Sequence, residues 1–473
     1  MPKAKKGKTE TLIPKCPKCK QPVFMYEGKK KFCPSCNYYF EHTNMKEEKK
    51  RERQLEKKDK KRGRSLFFVA LVIIIIVISV SAYYYYNSNT GTNYISIDDV
   101  GEIRDLKAKK DIPPQIMSKE ELLDYLDKLI TDGEKERIER DETIYRSMFI
   151  VDDDFDLLNI SLESSVDQIA GFYDPDTKEM YVIGNHFSPY VNYILSHEFT
   201  HALQDQHFDL NVFIENMSYD QHLARLSVVE GDASLVMNQY VSEMSWEERL
   251  FLTLDATMTL GSALSSSTNV EGNKALSSLT MFPYINGLSF VEEAYDDGTW
   301  KSVNQLYESP PSSSEQILHY EKYLSKEEPV EINFELPLTG FDLIVSETLG
   351  EYFISQMLDL HLGIDIESSL MSLIGMDMTS DSAANAAAGW GGDLFNYYSR
   401  DNDFLSVFST TWDTVGDNDE FNESYSDMLF TIAYDQEGDI FTIRDGYLYK
   451  DSSDLNTTIY YSSNIDFIWE LIG

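Results

Sequence analysis

His197-Glu198-Phe199-Thr200-His201 governs the reading of this 473-residue chain. Two histidines at i and i+4 share one face of a helix, about 6 Å apart, close enough to grip one metal ion. The glutamate after the first histidine projects from the same end of the helix, within reach of a water at that ion. Two imidazole ligands and a general base make this the HExxH pattern. The chain holds only 8 histidines, which makes the match hard to ascribe to chance. The competing reading is a surface helix with two unrelated histidines.

Upstream, Ala170-Gly171-Phe172-Tyr173 and Glu179-Met180-Tyr181-Val182-Ile183 flank Asp174-Pro175-Asp176-Thr177-Lys178. Aromatic and β-branched flanks around Pro and Asp predict a hairpin. Downstream, Leu223, Leu226, Val229, Ala233 and Val236 recur at helical spacing and put Glu230 on a second helix. A glutamate there, facing the two histidines, completes three ligands and leaves a position open for water. Gly231 invites a reason, such as close packing against the first helix. His207 is the rival third ligand, at HExxHxxGxxH spacing. That geometry needs the helix to break near position 204, where glycine would permit it and Gln204 stands instead. A continuous helix carries His207 about 9 Å along the axis from His201 and onto another face.

The stretch from His197 to Phe208 followed by Val229-Glu230-Gly231-Asp232-Ala233 resembles a group of archaeal and bacterial zinc metallopeptidases related to the gluzincins. The resemblance extends to Pro310–His319 and Ala387–Asp393, and so covers roughly residues 165–400. It implies a zincin-like fold, catalytic zinc at His197, His201 and Glu230, and a peptide or protein substrate. It also implies that a sheet edge before the HExxH helix aligns the extended substrate. The chain departs from the pattern at Ser234, where many gluzincins carry an acidic residue that supports a ligand histidine. Asp232 and Asp205 are alternatives for that support. The expected chemistry is hydrolysis by a zinc-activated water, with Glu198 taking its proton. His319 and Tyr323, one helical turn apart, are candidates to stabilise the oxyanion. Gly389-Trp390-Gly391-Gly392-Asp393 reads as a structural turn with a space-filling indole.

The amino-terminal part is different in kind. All four cysteines lie there, as Cys16-Pro17-Lys18-Cys19 and Cys33-Pro34-Ser35-Cys36. Two CxxC pairs can place four thiolates around a second, structural zinc, with Gln21–Gly28 as a short hairpin between them. Lys29-Lys30-Lys31 beside Tyr38-Tyr39-Phe40 leaves nucleic acid open as a partner of this ribbon, against a plain docking knob of unknown partner. Residues 1–64 hold 21 Lys+Arg against 8 Asp+Glu, whereas residues 65–473 hold 20 against 72. The acidic part therefore repels nucleic acid. Between the two, Leu66–Tyr86 runs 21 residues without a charge, about 31 Å as a helix and enough to cross a bilayer. Basic residues crowd its amino-terminal flank, so the positive-inside rule puts the amino terminus in the cytoplasm and the rest outside the cell membrane.

The expected fold class is thus α+β, a zincin-like metallopeptidase domain after a single transmembrane helix, preceded by a small zinc ribbon. The expected boundaries are a ribbon over 1–42, a basic juxtamembrane linker over 43–64, the span over 65–86, a stalk over 87–117 and the catalytic domain over 118–473. Ser118 is a good N-cap for the first helix of that domain. Tyr447–Lys450 and Thr457–Tyr461 predict a carboxy-terminal hairpin. Two rival functions remain at this level. One is a non-catalytic membrane receptor or scaffold with a peptidase-like exterior, against which the intact His197, Glu198, His201 and Glu230 count. The other is a ribbon that binds nucleic acid or protein as the working part.

Overall fold

The computed structural model describes residues 16, 18–21, 30–33, 35–36, 38–41, 94–129, 131–160, 169–184, 187–215, 217–253, 256, 274–362 and 379–473. The chain divides into two units, Met1–Gly91 and Thr92–Gly473. In the first, Lys20 adopts a left-handed φ of 65°. That turn returns the Lys20 N–H to the Cys16 carbonyl at 2.8 Å. Strands β1 (Lys30–Cys33) and β2 (Tyr38–Glu41) pair antiparallel, with Cys33 opposite Tyr38. This hairpin holds the second cysteine pair, with Cys33 ending β1 and Cys36 between the strands; the one expected over Gln21–Gly28 lies, Gln21 apart, outside the described residues.

The second unit is mixed helix and sheet, as an α+β chain should be. Ile95, Ile97, Val100 and Leu106 are buried, which folds α1 (Ile97–Arg104) into this unit. The Ile95 N–H donates to Asn192 Oδ1 at 3.2 Å. Residues 94–117 are therefore core-building and not the stalk that their polar composition suggests. Ser118 accepts from the Glu121 N–H at 3.2 Å and Glu121 answers the Ser118 N–H at 2.8 Å, a reciprocal cap that starts α2 (Lys119–Leu129). Helix α3 (Asp132–Ser147) follows. A three-stranded sheet in the order β3-β5-β4 joins β3 (Pro114–Met117), parallel to β5 (Glu179–Ile183), with β4 (Gly171–Asp174) antiparallel on the other side. β4 is an edge strand.

Helix α4 (Pro189–Phe208) carries the HEFTH sequence. Ser188 caps it by accepting from the Val191 N–H at 3.2 Å, Pro189 fits its first turn, and Asp209 ends it at φ 57°. Leu195, Phe199, Ala202 and Leu203 have no exposed surface. Burying each of the larger ones contributes about 1.5–3 kcal/mol, so this helix is anchored by its apolar face while its histidines face a cleft. Beyond α5 (Leu210–Ile214) come α6 (Tyr219–Glu243) and α7 (Lys274–Gly298), which cross closely. A Cβ on Gly231 would lie 2.2 Å from the Gly287 carbonyl oxygen, and one on Gly287 would lie 2.3 Å from that of Ser227. Gly231 thus serves close packing, as its position invited, but against α7 and not against α4. Helices α8 (Trp300–Glu308), α9 (Ser314–Leu318) and α10 (Tyr320–Ser325) complete this half.

The remaining chain builds a seven-stranded antiparallel sheet in the order β6-β7-β8-β12-β11-β10-β9. Its strands are β6 (Asp342–Glu347), β7 (Trp390–Arg400), β8 (Asp403–Trp412), β9 (Asp435–Glu437), β10 (Ile440–Ile443), β11 (Gly446–Ser453) and β12 (Asn456–Ser462). The carboxy-terminal hairpin is β11–β12, with Lys450 opposite Ile459. Helices α11 (Gly350–Leu362), α12 (Asp381–Ala387) and α13 (Val415–Ile432) contribute Phe353, Ala387 and Phe421 to the core, and α14 (Ile465–Ile472) ends the chain. Gly389 takes a φ of 76° and Trp390 is fully buried, in keeping with a turn and a filled space.

The expected transmembrane architecture is corrected. No helix among the described residues is long and apolar enough to cross a membrane. The longest, α6 and α7, carry Asp220, Arg225, Glu230, Asp232 and Glu243, and Glu292, Glu293, Asp296 and Asp297, charges that a bilayer core does not accept. Residues 43–64 and 65–86 lie outside the described residues. The fold class with a single transmembrane helix, and the single-pass placement with an extracellular catalytic domain, are therefore not carried further.

Candidate metal centre

The i, i+4 spacing does what helix geometry requires: the His197 and His201 rings lie with centroids 4.6 Å apart, edge to face. Glu230 arrives from α6 between them. Its Oε2 lies 3.0 Å from His197 Nε2 and 3.4 Å from His201 Nε2. Ligands held at about 2.0–2.1 Å around a tetrahedral zinc are about 3.3–3.4 Å from one another. The two separations from Glu230 lie close to those edges, and all three donor atoms fall within 4.8 Å of one another, so they can converge on one small cation. The set also has the right chemistry, with two imidazoles and one carboxylate.

Electrostatics point the same way. Glu198 and Glu230 are two carboxylates in a cleft where burial opposes charge. Burial pushes the Glu198 carboxyl up, against the pull of His197 and His201. Burial alone would raise Glu230 too, but the two imidazoles outweigh it and hold its carboxyl well below the usual range. Burial alone would lower His201, yet Glu230 and Glu198 carry its imidazole up to about 9. The cleft demands positive charge, which a proton or a divalent cation can supply.

Glu198 is placed by the sheet. The Tyr173 backbone N–H of edge strand β4 donates to Glu198 Oε2 at 3.0 Å. The Tyr173 hydroxyl in turn donates to Asp205 at 2.7 Å, and Lys178 pairs with Asp205 at 2.8 Å. Asp205, one of the two candidates for supporting a ligand histidine, instead staples strand to helix.

That support comes from Gln204, which the sequence had singled out only as a residue that fails to break the helix. Its Oε1 lies 2.9 Å from His201 Nδ1, while its Nε2 donates to the Val229 carbonyl at 3.0 Å and to Asp232 Oδ2 at 3.1 Å. Asp232 enters one step further out, paired with Arg104 at 2.6 Å, both side chains fully buried. An i, i+3 relation to His201 was the available signal. His207 stands apart on the exposed side of α4, its Nε2 2.9 Å from the Lys107 carbonyl oxygen.

Tyr284 of α7 had no sequence signal at all. Its ring lies 6.1 Å from that of His197, roughly parallel, and it is 38% exposed. Its hydroxyl reaches Glu230, whose charge, with burial, raises the phenol far enough to keep it protonated. The two residues expected near the oxyanion are engaged elsewhere. His319 Nε2 lies 3.0 Å from Glu351 Oε1, and the Tyr323 hydroxyl donates to the Ser309 carbonyl at 2.9 Å.

In the amino-terminal unit, Cys16, Cys19 and Cys36 bring their sulfurs within 4.8 Å of one another, with Cys16 Sγ and Cys36 Sγ 3.7 Å apart. Cys33 lies on β1. A further acidic group, Glu315, Glu327 and Asp413, surrounds the Lys322 ammonium at 2.6–2.9 Å, so a lysine already fills the space between the carboxylates.

Residues 340–460 match the model of a domain of unknown function, DUF8575. This stretch spans β6 to β12 and so most of the seven-stranded sheet, and it begins after the residues of the metal centre. No curated protein and no solved structure matches the chain.

Proposed function

We propose that this chain is a metal-dependent peptidase whose zinc is held by His197, His201 and Glu230, with Glu198 as general base. The observation that carries the proposal is the convergence of three donor atoms within 4.8 Å of one another beside a carboxylate fixed by a sheet edge. When bound, zinc supplies Lewis acidity, which makes a water nucleophilic near neutral pH and polarises an amide carbonyl. Glu198, its basicity raised by burial, takes the proton from that water and returns it to the leaving amine. The Tyr173 N–H fixes the carboxylate's orientation, so little reorganisation is needed as charge moves. Tyr284, protonated and partly exposed, turns its one hydroxyl proton from Glu230 to the oxyanion of the tetrahedral species. The position of β4 at the sheet edge supports an extended peptide as the substrate, which would pair with edge groups other than the Tyr173 N–H that Glu198 occupies. A structural zinc at Cys16, Cys19, Cys33 and Cys36 is a separate part of this reading, supported by the three clustered sulfurs.

The experiment is hydrolysis of unfolded casein by the full chain, followed by new amino termini. Activity should disappear with a chelator, return with zinc, and stay absent in Glu198→Gln at unchanged metal content. Equal rates for wild type and Glu198→Gln would sink the proposal.

A further inference from the structure

We infer that a buried chain of hydrogen bonds, Arg104–Asp232–Gln204–His201, dictates which ring nitrogen of His201 meets the metal, making Gln204 and Asp232 positioning residues. This rests on the metal reading above. The argument is one of direction. An amide side chain has a donor end and an acceptor end, and the wrong orientation of a buried amide leaves both unsatisfied. The donor end of Gln204 faces two groups that can only accept, the Val229 carbonyl and Asp232 Oδ2. Asp232 is held as an acceptor by three other donor bonds: Arg104 Nε at 2.6 Å, the second Arg104 nitrogen at 3.0 Å and the Tyr307 hydroxyl at 2.8 Å. Reversing the amide would aim its oxygen at both acceptors. Its oxygen must therefore face His201 Nδ1, and an oxygen there can only accept. With a cation in place of the second proton, Nδ1 carries the remaining one, and the Nε2 lone pair is turned toward Glu230 and the cation position.

The remote end of the chain is equally fixed. Arg104 lies under the Trp300 ring at 4.4 Å and also donates to Asn304 at 2.8 Å. Its planar fork meets both Asp232 oxygens, which a single-point cation could not do. His197 has no such partner, since its Nδ1 is buried without a protein hydrogen bond. The two imidazoles are thus unequal. His201 is held at both ring nitrogens, whereas His197 is held by Glu230 at Nε2 and by its ring contacts, with no partner to set its Nδ1. The relay also uses a neutral amide where a carboxylate might have stood. A glutamate at 204 would face Asp232 at close range, so this site admits the amide and rejects the acid.

The test uses the full-length protein and cobalt(II), whose thiolate charge-transfer absorption separates a cysteine site from the His–Glu site. Affinity at the His–Glu site is measured by competition with a chelator for wild type, Gln204→Leu, Gln204→Glu and Asp232→Asn, alongside thermal unfolding. The relay predicts a loss of about 10–100-fold in each variant. In zinc-loaded wild type, nitrogen NMR should find a slowly exchanging proton on His201 Nδ1. That reading needs no variant to fold. A proton on Nε2, unchanged affinity in Gln204→Leu and Asp232→Asn, or tighter binding by Gln204→Glu would overturn the relay while wild type still binds. Wild type with no cobalt at the His–Glu site would instead overturn the metal reading on which the relay rests.

Discussion

Glu198 sits where burial and a backbone hydrogen bond pull its carboxyl in opposite directions, and burial prevails. Replacing it with glutamine keeps the shape and the Tyr173 bond but removes the basic oxygen. Turnover should fall on the order of 10²–10⁴-fold with metal content unchanged, checked by peptide cleavage and metal analysis of the same sample. A second residue tests the electrostatics far from the site. Lys450 donates to the Asn422 carbonyl at 3.0 Å and to Ser426 at 2.8 Å, and burial lowers its pKa to about 8. Below pH 8 both folded and unfolded chains hold the proton and the burial cost is present in full. Between pH 8 and about 10.5 the folded chain releases it first, so the unfolded chain binds more protons and stability rises with pH. Lys450→Met should be more stable near pH 7 by about 1–2 kcal/mol, allowing for solvent screening of a half-buried group. The gain should vanish above about pH 10.5; urea midpoints across that range check it, and a gain independent of pH would contradict the assignment.

At the scale of elements, the centre depends on how closely α6 and α7 approach. Gly231 and Gly287 interlock backbone to backbone, which brings Tyr284, one turn from Gly287, over Glu230, next to Gly231. Gly287→Ala puts a methyl 2.3 Å from the Ser227 carbonyl oxygen, and backbone cannot step aside as a side chain can. We expect a loss of about 1–3 kcal/mol in stability, with metal affinity reduced because Glu230 moves with α6. An unfolding curve and a chelator competition would show both. Much of this arrangement was legible in sequence. The i, i+4 histidines, the hairpin of β4 and β5, and the second helix with Glu230 all follow from local periodicity. What was not legible is tertiary. Tyr284 lies 54 positions beyond Glu230, and Arg104 lies in a polar stretch that reads as a stalk, although Ile97, Val100 and Gly101 are buried on one side of its helix. Gln204 was noticed for what it prevents, because its partners come from α6.

At the scale of the whole molecule, the helical half with the metal centre and the sheet that matches a domain of unknown function form one unit. Glu347 of β6 joins them, accepting from the Tyr219 N–H of α6 at 2.8 Å and pairing with Arg140 of α3 at 3.3 Å. Asp393 of β7 pins the start of α11 to the sheet, accepting from the Leu349 and Gly350 N–H groups at 2.8 Å each and from the Trp390 indole at 3.0 Å. Asp393→Ala strands three buried donors, so unfolding free energy should fall by at least about 3 kcal/mol, measurable as a shift in urea midpoint. A shift under about 1 kcal/mol would mean that β7 and the start of α11 cohere by apolar packing alone. The proposed function, however, rests on the cation. The most direct measurement is the zinc content of the full-length chain, wild type against Glu230→Ala with His201→Ala, purified without chelator. Taking the difference cancels any zinc held by the cysteines. The double variant should carry one equivalent less than wild type. Equal zinc in the two would contradict the metal centre at His197, His201 and Glu230.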